Sequence, residues 1–359
     1  MIESIGFLSM RFEETEKRDF RPQFFNMLKN TSPSLLLEKG YGERLGFHEK
    51  DYLESNHNIL FVTRDEVYKA DFVVSVRTPS MDELKKLKDN AIFFSMLHYL
   101  TRAKRNEFLL SKNIQMLSMD GICDDFGHRI IQDFEGTVRS AFKAAYQEYN
   151  FFHEQKMISV LVLGTGELGK IAVDMAVSMI DKPVVVTSVG PLVTKDTDII
   201  NNFLKSTDIL VDASKRPDSS RYIITNDQLG LLPEHAVVVD ISADDYDVNV
   251  NPIQVKGIEG IPTGNLDKYV FQVDDPAYDS IPEQVSKENR RLVIGCNAWP
   301  GVNPLQCLDK YEIQIAPFIC EVVHLEGKFP SEKSHSYFER ALYRGTYDYF
   351  KCRNNRTCK

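Results

Sequence analysis

The sequence predicts an α/β fold built on parallel sheets, and three observations carry that reading. Short apolar runs alternate with helical stretches along the whole chain. Two of the runs, 72–76 and 91–97, are nearly continuous, each broken only by a serine. A glycine-bearing turn joins another such run to an amphipathic helix near the middle of the chain. Strands separated by helices favour parallel pairing, and a strand covered on both faces reads as an unbroken apolar run.

Taken in order, strands are expected at 5–10, 34–38, 58–62, 71–76, 91–97 and 114–118, with helices at 22–28, 81–87 and 102–111 between some of them. A long helix follows over 135–155, with Val138, Phe142, Ala145 and Tyr149 near one face. Further strands are expected at 208–211 and 236–240, and a last one ending near Ile294. Helical patterning returns after Pro304 and ends in a helix over 336–349. A chain of 359 residues is long for one core. Two domains are therefore expected, 1–140 plus 305–359 and 141–304, the first discontinuous because its last helices pack back on it.

Residues 157–170 read Met-Ile-Ser-Val-Leu-Val-Leu-Gly-Thr-Gly-Glu-Leu-Gly-Lys, and after the helix the chain returns as Lys-Pro-Val-Val-Val-Thr-Ser. Strand, glycine turn, helix, strand is the order of a dinucleotide-binding βαβ unit, so both domains are expected to be Rossmann-like. Gly164 allows the tight turn, Gly166 lets backbone approach a pyrophosphate, and Gly169 lets helix and strand pack closely. Thr165, Glu167 and Leu168 complete the turn, and the helix N-terminus offers unpaired N–H groups to phosphate. The alternative is a glycine turn that binds nothing. The ribose discriminator, usually Asp or Glu about 20 residues past the glycines, falls here on Thr187 or Ser188. A hydroxyl does not repel a 2′-phosphate, and Lys195 follows closely, which tilts the expected cofactor toward NADP over NAD.

The chain has 43 Lys and Arg against 52 Asp and Glu, a net charge of −9. That balance argues against nucleic acid or an anionic membrane as partner. No apolar run is long enough to span a bilayer, and the N-terminus lacks a basic-then-apolar leader pattern. Six scattered cysteines and eight dispersed histidines show no metal-ligand spacing, so reduced thiols, no metal and a cytoplasmic location are expected.

Candidate chemistry gathers at strand ends, where ligands of open parallel sheets collect. Arg77 follows the fourth strand, and it would supply charge because a guanidinium keeps its proton. His98 follows the fifth, and an imidazole, with an ordinary pKa of about 6.5, suits general acid–base work. The bland readings are a surface ion pair and a packed histidine. The run Val239-Asp240-Ile241-Ser242-Ala243-Asp244 stops abruptly at small and acidic residues, as either a ligand loop or a solvated acidic loop. Cys296-Asn297-Ala298-Trp299 follows the last strand and holds the only tryptophan. Arg18 and Arg21 would bind a carboxylate in bidentate fashion, or simply sit in a charged loop.

In this order the pieces resemble the alanine dehydrogenase/saccharopine dehydrogenase family. The landmarks are Leu36-Leu37-Glu38-Lys39-Gly40, the loop after Val76, Leu97-His98, Gly127-His128-Arg129, the glycine turn, 240–244, Asn251-Pro252-Ile253, and Asn297 three before Pro300. The Ser-Ala-Asp, the Asn-Pro-Ile and the Asn297-to-Pro300 spacing look more like saccharopine dehydrogenase than alanine dehydrogenase. The resemblance implies that His98 is the acid/base histidine and that Arg18 binds substrate, although the register could place Lys17 there. It also implies that Arg129 touches ligand, that Ser242, Ala243 and Asp244 form the substrate loop, and that Ile241, Asn297, Ala298 and Trp299 line the nicotinamide side. The family's catalytic lysine falls on Arg77, a departure, since arginine does not exchange protons.

The expected function is therefore an NAD(P)-dependent oxidoreductase acting on a C–N bond, of saccharopine or opine type, joining an amino acid to a 2-oxo acid or reversing that step. The rivals are an alanine-dehydrogenase-type enzyme using free ammonia and a non-catalytic nucleotide-binding protein. The partners expected are small molecules, an amino acid and a 2-oxo acid, with a homo-oligomer as the alternative to a monomer.

Overall fold

The computed structural model describes residues 2–152, 156–216, 218–242 and 244–355. It divides into one unit made of residues 1–12, 16–132 and 304–359 and a second made of 13–15 and 133–303.

The first unit holds a six-stranded sheet of β1 (Ser4–Phe7), β2 (Ser34–Glu38), β3 (Ile59–Val62), β4 (Phe72–Arg77), β5 (Ile92–Met96) and β6 (Gln115–Ser118). All pairs are parallel, in the order β3-β2-β1-β4-β5-β6. The order reverses between β1 and β4, the switch point at which doubly wound sheets bind ligands. β1 stops earlier than the apolar pattern suggested. Beyond it the backbone N–H groups of Ser9 and Met10 donate to the carboxylates of Glu38 and Asp19. The helix Pro304–His324 buries Leu308, Ile315, Phe318 and Ile319 in one core with Phe7, Phe24, Phe25 and Phe94. The single helix expected over 336–349 is two, Tyr337–Arg344 and Tyr347–Asn355. They part at Gly345, whose carbonyl accepts from the Ser118 backbone N–H and the Tyr99 hydroxyl. A Cβ there would crowd Ile122 and Leu117.

The second unit holds β7 (Ile158–Leu163), β8 (Val184–Val189), β9 (Ile209–Asp212), β10 (Val237–Asp240), β11 (Val270–Phe271) and β12 (Leu292–Gly295). Their order is β11-β12-β10-β9-β7-β8, parallel except for β11. The switch point here lies between β7 and β9. The long helix is Phe134–Phe152, and the end of the expected span, 153–155, lies outside the described residues. It buries Val138, Ala141, Phe142, Ala145 and Tyr149 against Ile158, Val160, Val162, Val211 and Val239. The whole of this helix belongs to the second unit, which takes in residues 133–303. The short antiparallel β11 went unread, since two residues carry no periodicity.

Among the described residues no helix is long and apolar enough to cross a membrane, and no group of three His, Cys, Asp or Glu side chains could hold a metal ion. Cys123, Cys296, Cys307 and Cys320 are free thiols. Cys352 is disulfide-bonded, which corrects the expectation of reduced thiols throughout.

Candidate functional site

In the first unit, charged residues meet at the switch point. Glu16 is fully buried, and Arg18 grips it with two bonds, Nε to Oε1 at 2.8 Å and Nη2 to Oε2 at 2.6 Å. Arg77, at the end of β4, brings Nη1 to 3.7 Å from Glu16 Oε2 and lies over the Phe12 ring, 5.0 Å from its centroid. Burial alone would raise the Glu16 carboxyl, but Arg18, and behind it Arg77, hold it below its ordinary value. Of the two register choices, Arg18 is buried within this group while Lys17 is exposed. Arg21 lies elsewhere, paired with Glu312 and Asp309.

Next to them, past β5, His98 adopts left-handed backbone geometry, φ 45° and ψ 54°. Its N–H donates to Asp120 Oδ1 at 3.2 Å, and its Nδ1 lies 3.4 Å from Asp120 Oδ2. The Ser118 hydroxyl donates to the same Oδ1 at 2.6 Å. Burial would raise the Asp120 carboxyl, yet His98, Arg129 and Ser118 outweigh it and hold it well below the carboxylate range. Arg129 is fixed by the Ile131 carbonyl at 2.6 Å and reaches the sulfur of Met96 at 2.8 Å. Met96 is the register partner of Arg77, so Arg77, His98 and Arg129 share one end of the sheet.

In the second unit, Gly164 follows β7 at φ 121°. A Cβ there would press on the Ala213 carbonyl, and one at Gly169 would overlap the Gly164 carbonyl oxygen. Above Gly166 the space is open, with nothing within 4 Å of a built Cβ. Gly166 is the N-cap of helix Glu167–Met179 and makes no side-chain cap bond, so the first N–H groups of that helix remain unsatisfied by a cap. Thr165, Gly166 and Glu167 are exposed, and Leu168 is half-buried. The turn thus offers the close approach and the aligned donors that a pyrophosphate requires. At the end of β8 Ser188 is exposed and its hydroxyl donates to the Gly164 carbonyl at 3.0 Å.

The loop after β10 is more engaged than the sequence implied. Ile241 is buried and its N–H donates to the Asp212 carbonyl. Ser242 donates to Asp240 Oδ1 at 2.9 Å, and Asp244 receives Arg216 at 2.6 Å. Ala243 lies outside the described residues. After β12, Asn297 is exposed, Ala298 is buried, and the buried Trp299 donates its indole N–H to the Asp240 carbonyl at 2.9 Å. Four polar residues went unread: Glu16, Asp120, Asp212 and Lys256. A signal existed for Asp212, because Ile-Leu-Val-Asp and Val-Val-Val-Asp both end an apolar strand on an aspartate.

Two doubly wound units of this kind give the Rossmann-like fold of dehydrogenases. Residues 15–132, which include every member of the first unit's charged group, match the family model "Alanine dehydrogenase/PNT, N-terminal domain". In structure the chain is similar to an L-alanine dehydrogenase, with TM-score 0.67 and 15% identity over 96% of this chain and 94% of that one. It is also similar to a transhydrogenase from Sinorhizobium meliloti, with TM-score 0.62 and 14% identity over 90% and 96% of the two chains. In sequence it is 23% identical over 157 residues to the NAD(P) transhydrogenase subunit alpha of Haemophilus influenzae, a stretch covering 40% of this chain and 30% of that subunit. These matches favour the alanine dehydrogenase side of the resemblance over the saccharopine side.

Proposed function

We propose that the chain is a nicotinamide-dinucleotide oxidoreductase acting on the C–N bond of a small amino acid, of alanine dehydrogenase type. The observation that carries this reading is the pairing of fixed cations with a carboxylate-held imidazole at one sheet end. Arg77 and Arg129, with Arg18 partly neutralised by Glu16, provide positive charge for the substrate carboxylate. The Asp120-held His98 is the one group there suited to moving protons near neutral pH. When bound at the glycine turn, the dinucleotide supplies or accepts the hydride. In the oxidative direction the substrate loses hydride from Cα and a proton from nitrogen, giving an imine. Water adds to the imine carbon as His98 takes one of its protons and passes it to the nitrogen, giving a carbinolamine; His98 then takes the hydroxyl proton and delivers it to the departing nitrogen as the oxo group forms, releasing ammonia and a 2-oxo acid.

Arg77 stands where a proton-exchanging lysine would be expected from the resemblance, so the proton traffic falls on His98. The likeness to transhydrogenases supports a second reading, hydride exchange between two dinucleotides. The His98–Asp120 pair weighs against it, because that exchange needs no acid or base.

The test is oxidation of NADH and NADPH with a panel of short 2-oxo acids, with and without ammonia and with candidate amino acids. The proposal expects ammonia-dependent turnover on at least one short oxo acid. Turnover that requires a second amino acid would restore the saccharopine type. Exchange only between dinucleotides would establish the transhydrogenase reading.

A further inference from the structure

Asp212 and Asp240 end the neighbouring parallel strands β9 and β10 and are register partners. Both are buried, at 0% and 2% exposure. The Ser242 hydroxyl lies against both, 2.9 Å from Asp240 Oδ1 and 3.5 Å from Asp212 Oδ2. The buried Lys256 places Nζ 2.8 Å from Asp240 Oδ2 and lies over the Tyr246 ring. Asp212 instead accepts the Ser214 hydroxyl at 2.6 Å and its N–H at 3.0 Å. Its other oxygen is packed on Gly257, where any Cβ would overlap it. Arg216 contributes charge from the following loop, but its guanidinium is bonded to Asp244 and to the Arg221, Val255 and Lys256 carbonyls. Two buried carboxylates beside one buried ammonium leave an excess negative charge in a place poor in water, and one proton removes it.

This pair also stands at the same sheet end as the glycine turn, Asp212 being the register partner of Leu163, which precedes Gly164. Asp212 pins Ser214, next to the Ala213 carbonyl that abuts Gly164. The Asp212 carbonyl holds Ile241, and the Asp240 carbonyl holds Trp299.

We infer that Asp212 is a positioning residue that carries a proton in the dinucleotide-binding form, so that binding of the dinucleotide is coupled to protonation of this buried pair. The inference rests on the reading that the glycine turn takes a nicotinamide dinucleotide. Ionised, Asp212 places an uncompensated negative charge beside a site meant for a pyrophosphate, and the two repel. In accord with this, burial first, and then Asp240, push the Asp212 carboxyl up to about 6 against the pull of Ser214 and Arg216.

The experiment titrates the full chain with NADH and NADPH at several pH values from about 5 to about 8, following quenching of Trp299. The dissociation constant of the wild type is expected to rise about tenfold across that range, as a one-unit coupling would give. Asp212→Asn, a neutral isostere, is expected to hold the tight value throughout. An equal slope in both proteins, or none in the wild type, would overturn the coupling. Thermal midpoints without ligand give a second readout. Asp212→Asn should match the wild type below about pH 4, the ordinary carboxylate value, gain on it as pH rises from there through about 6, and keep a constant lead above, because a raised carboxyl stabilises the fold only while protonated. Parallel curves would overturn the buried proton. If neither dinucleotide binds at any pH, the functional reading fails and the coupling with it, while the midpoints still decide the protonation. Should the variant not fold, the infrared band of a protonated carboxyl in the wild type near pH 5 reads the same proton, and its absence would overturn the claim.

Discussion

Asp120 holds His98 at two points, accepting its backbone N–H at 3.2 Å and facing its Nδ1 at 3.4 Å. The backbone contact matters because His98 is in the left-handed region, φ 45°, which a side-chain-bearing residue adopts at a cost of roughly 1–3 kcal/mol unless its surroundings impose it. One carboxylate therefore fixes both the strained turn and the orientation of the ring.

Asp120→Asn should lower stability at neutral pH by about 1–3 kcal/mol, the worth of hydrogen bonds to a charged group. The sign of its pH dependence follows from a depressed carboxyl. The contribution is full above about pH 4, the ordinary carboxylate value, and is lost progressively as pH falls below it. Denaturant melts at several pH values should show the gap between wild type and variant closing in acid.

His98→Gln should reduce kcat by about 100-fold or more, in keeping with the loss of a general acid–base group, while leaving dinucleotide affinity unchanged. Steady-state kinetics with the best oxo acid, beside a binding titration, check both halves.

Arg77→Gln removes charge without removing bulk, so KM for the oxo acid should rise by about tenfold or more, with a smaller change in kcat. Arg77→Lys should fall between the two, because lysine keeps the charge and loses the planar contact over Phe12. A kcat gain in Arg77→Lys would instead show that the position had lost a proton-exchanging role.

Gly166→Val and Gly169→Ala separate binding from folding. Open space surrounds Gly166, so its variant should keep the wild-type melting temperature and lose dinucleotide binding. Gly169→Ala drives a methyl into the Gly164 carbonyl and should destabilise the unit by about 1–3 kcal/mol, as overpacking does. Ser188→Asp should weaken NADPH at least about tenfold more than NADH, since a carboxylate repels the 2′-phosphate.

Much of the fold was legible because apolar runs in doubly covered parallel strands are continuous, and β2, β4 and β7 stand out for that reason. The glycine turn was legible because its spacing is that of a βαβ unit, and Gly164 and Gly169 answer steric demands of the fold. The polar groups that position the site were harder to read. Glu16 and Asp120 sit in charged or turn-like local sequence, and their roles depend on partners brought from other strands, Arg77 for one and His98 for the other. Lys256 lies 16 residues from the carboxylate it neutralises, a separation that no local pattern encodes. The break at Gly345 was hidden because the periodicity continues through it, and only the tertiary crowding of Ile122 and Leu117 reveals it.

The most direct measurement is a binding titration of the purified chain with NADH and NADPH, read by calorimetry and by the fluorescence of its only tryptophan. Saturable binding of at least one of them at micromolar concentration, abolished in Gly166→Val, is the expected result. No heat and no quenching with either coenzyme at millimolar concentration would contradict the account.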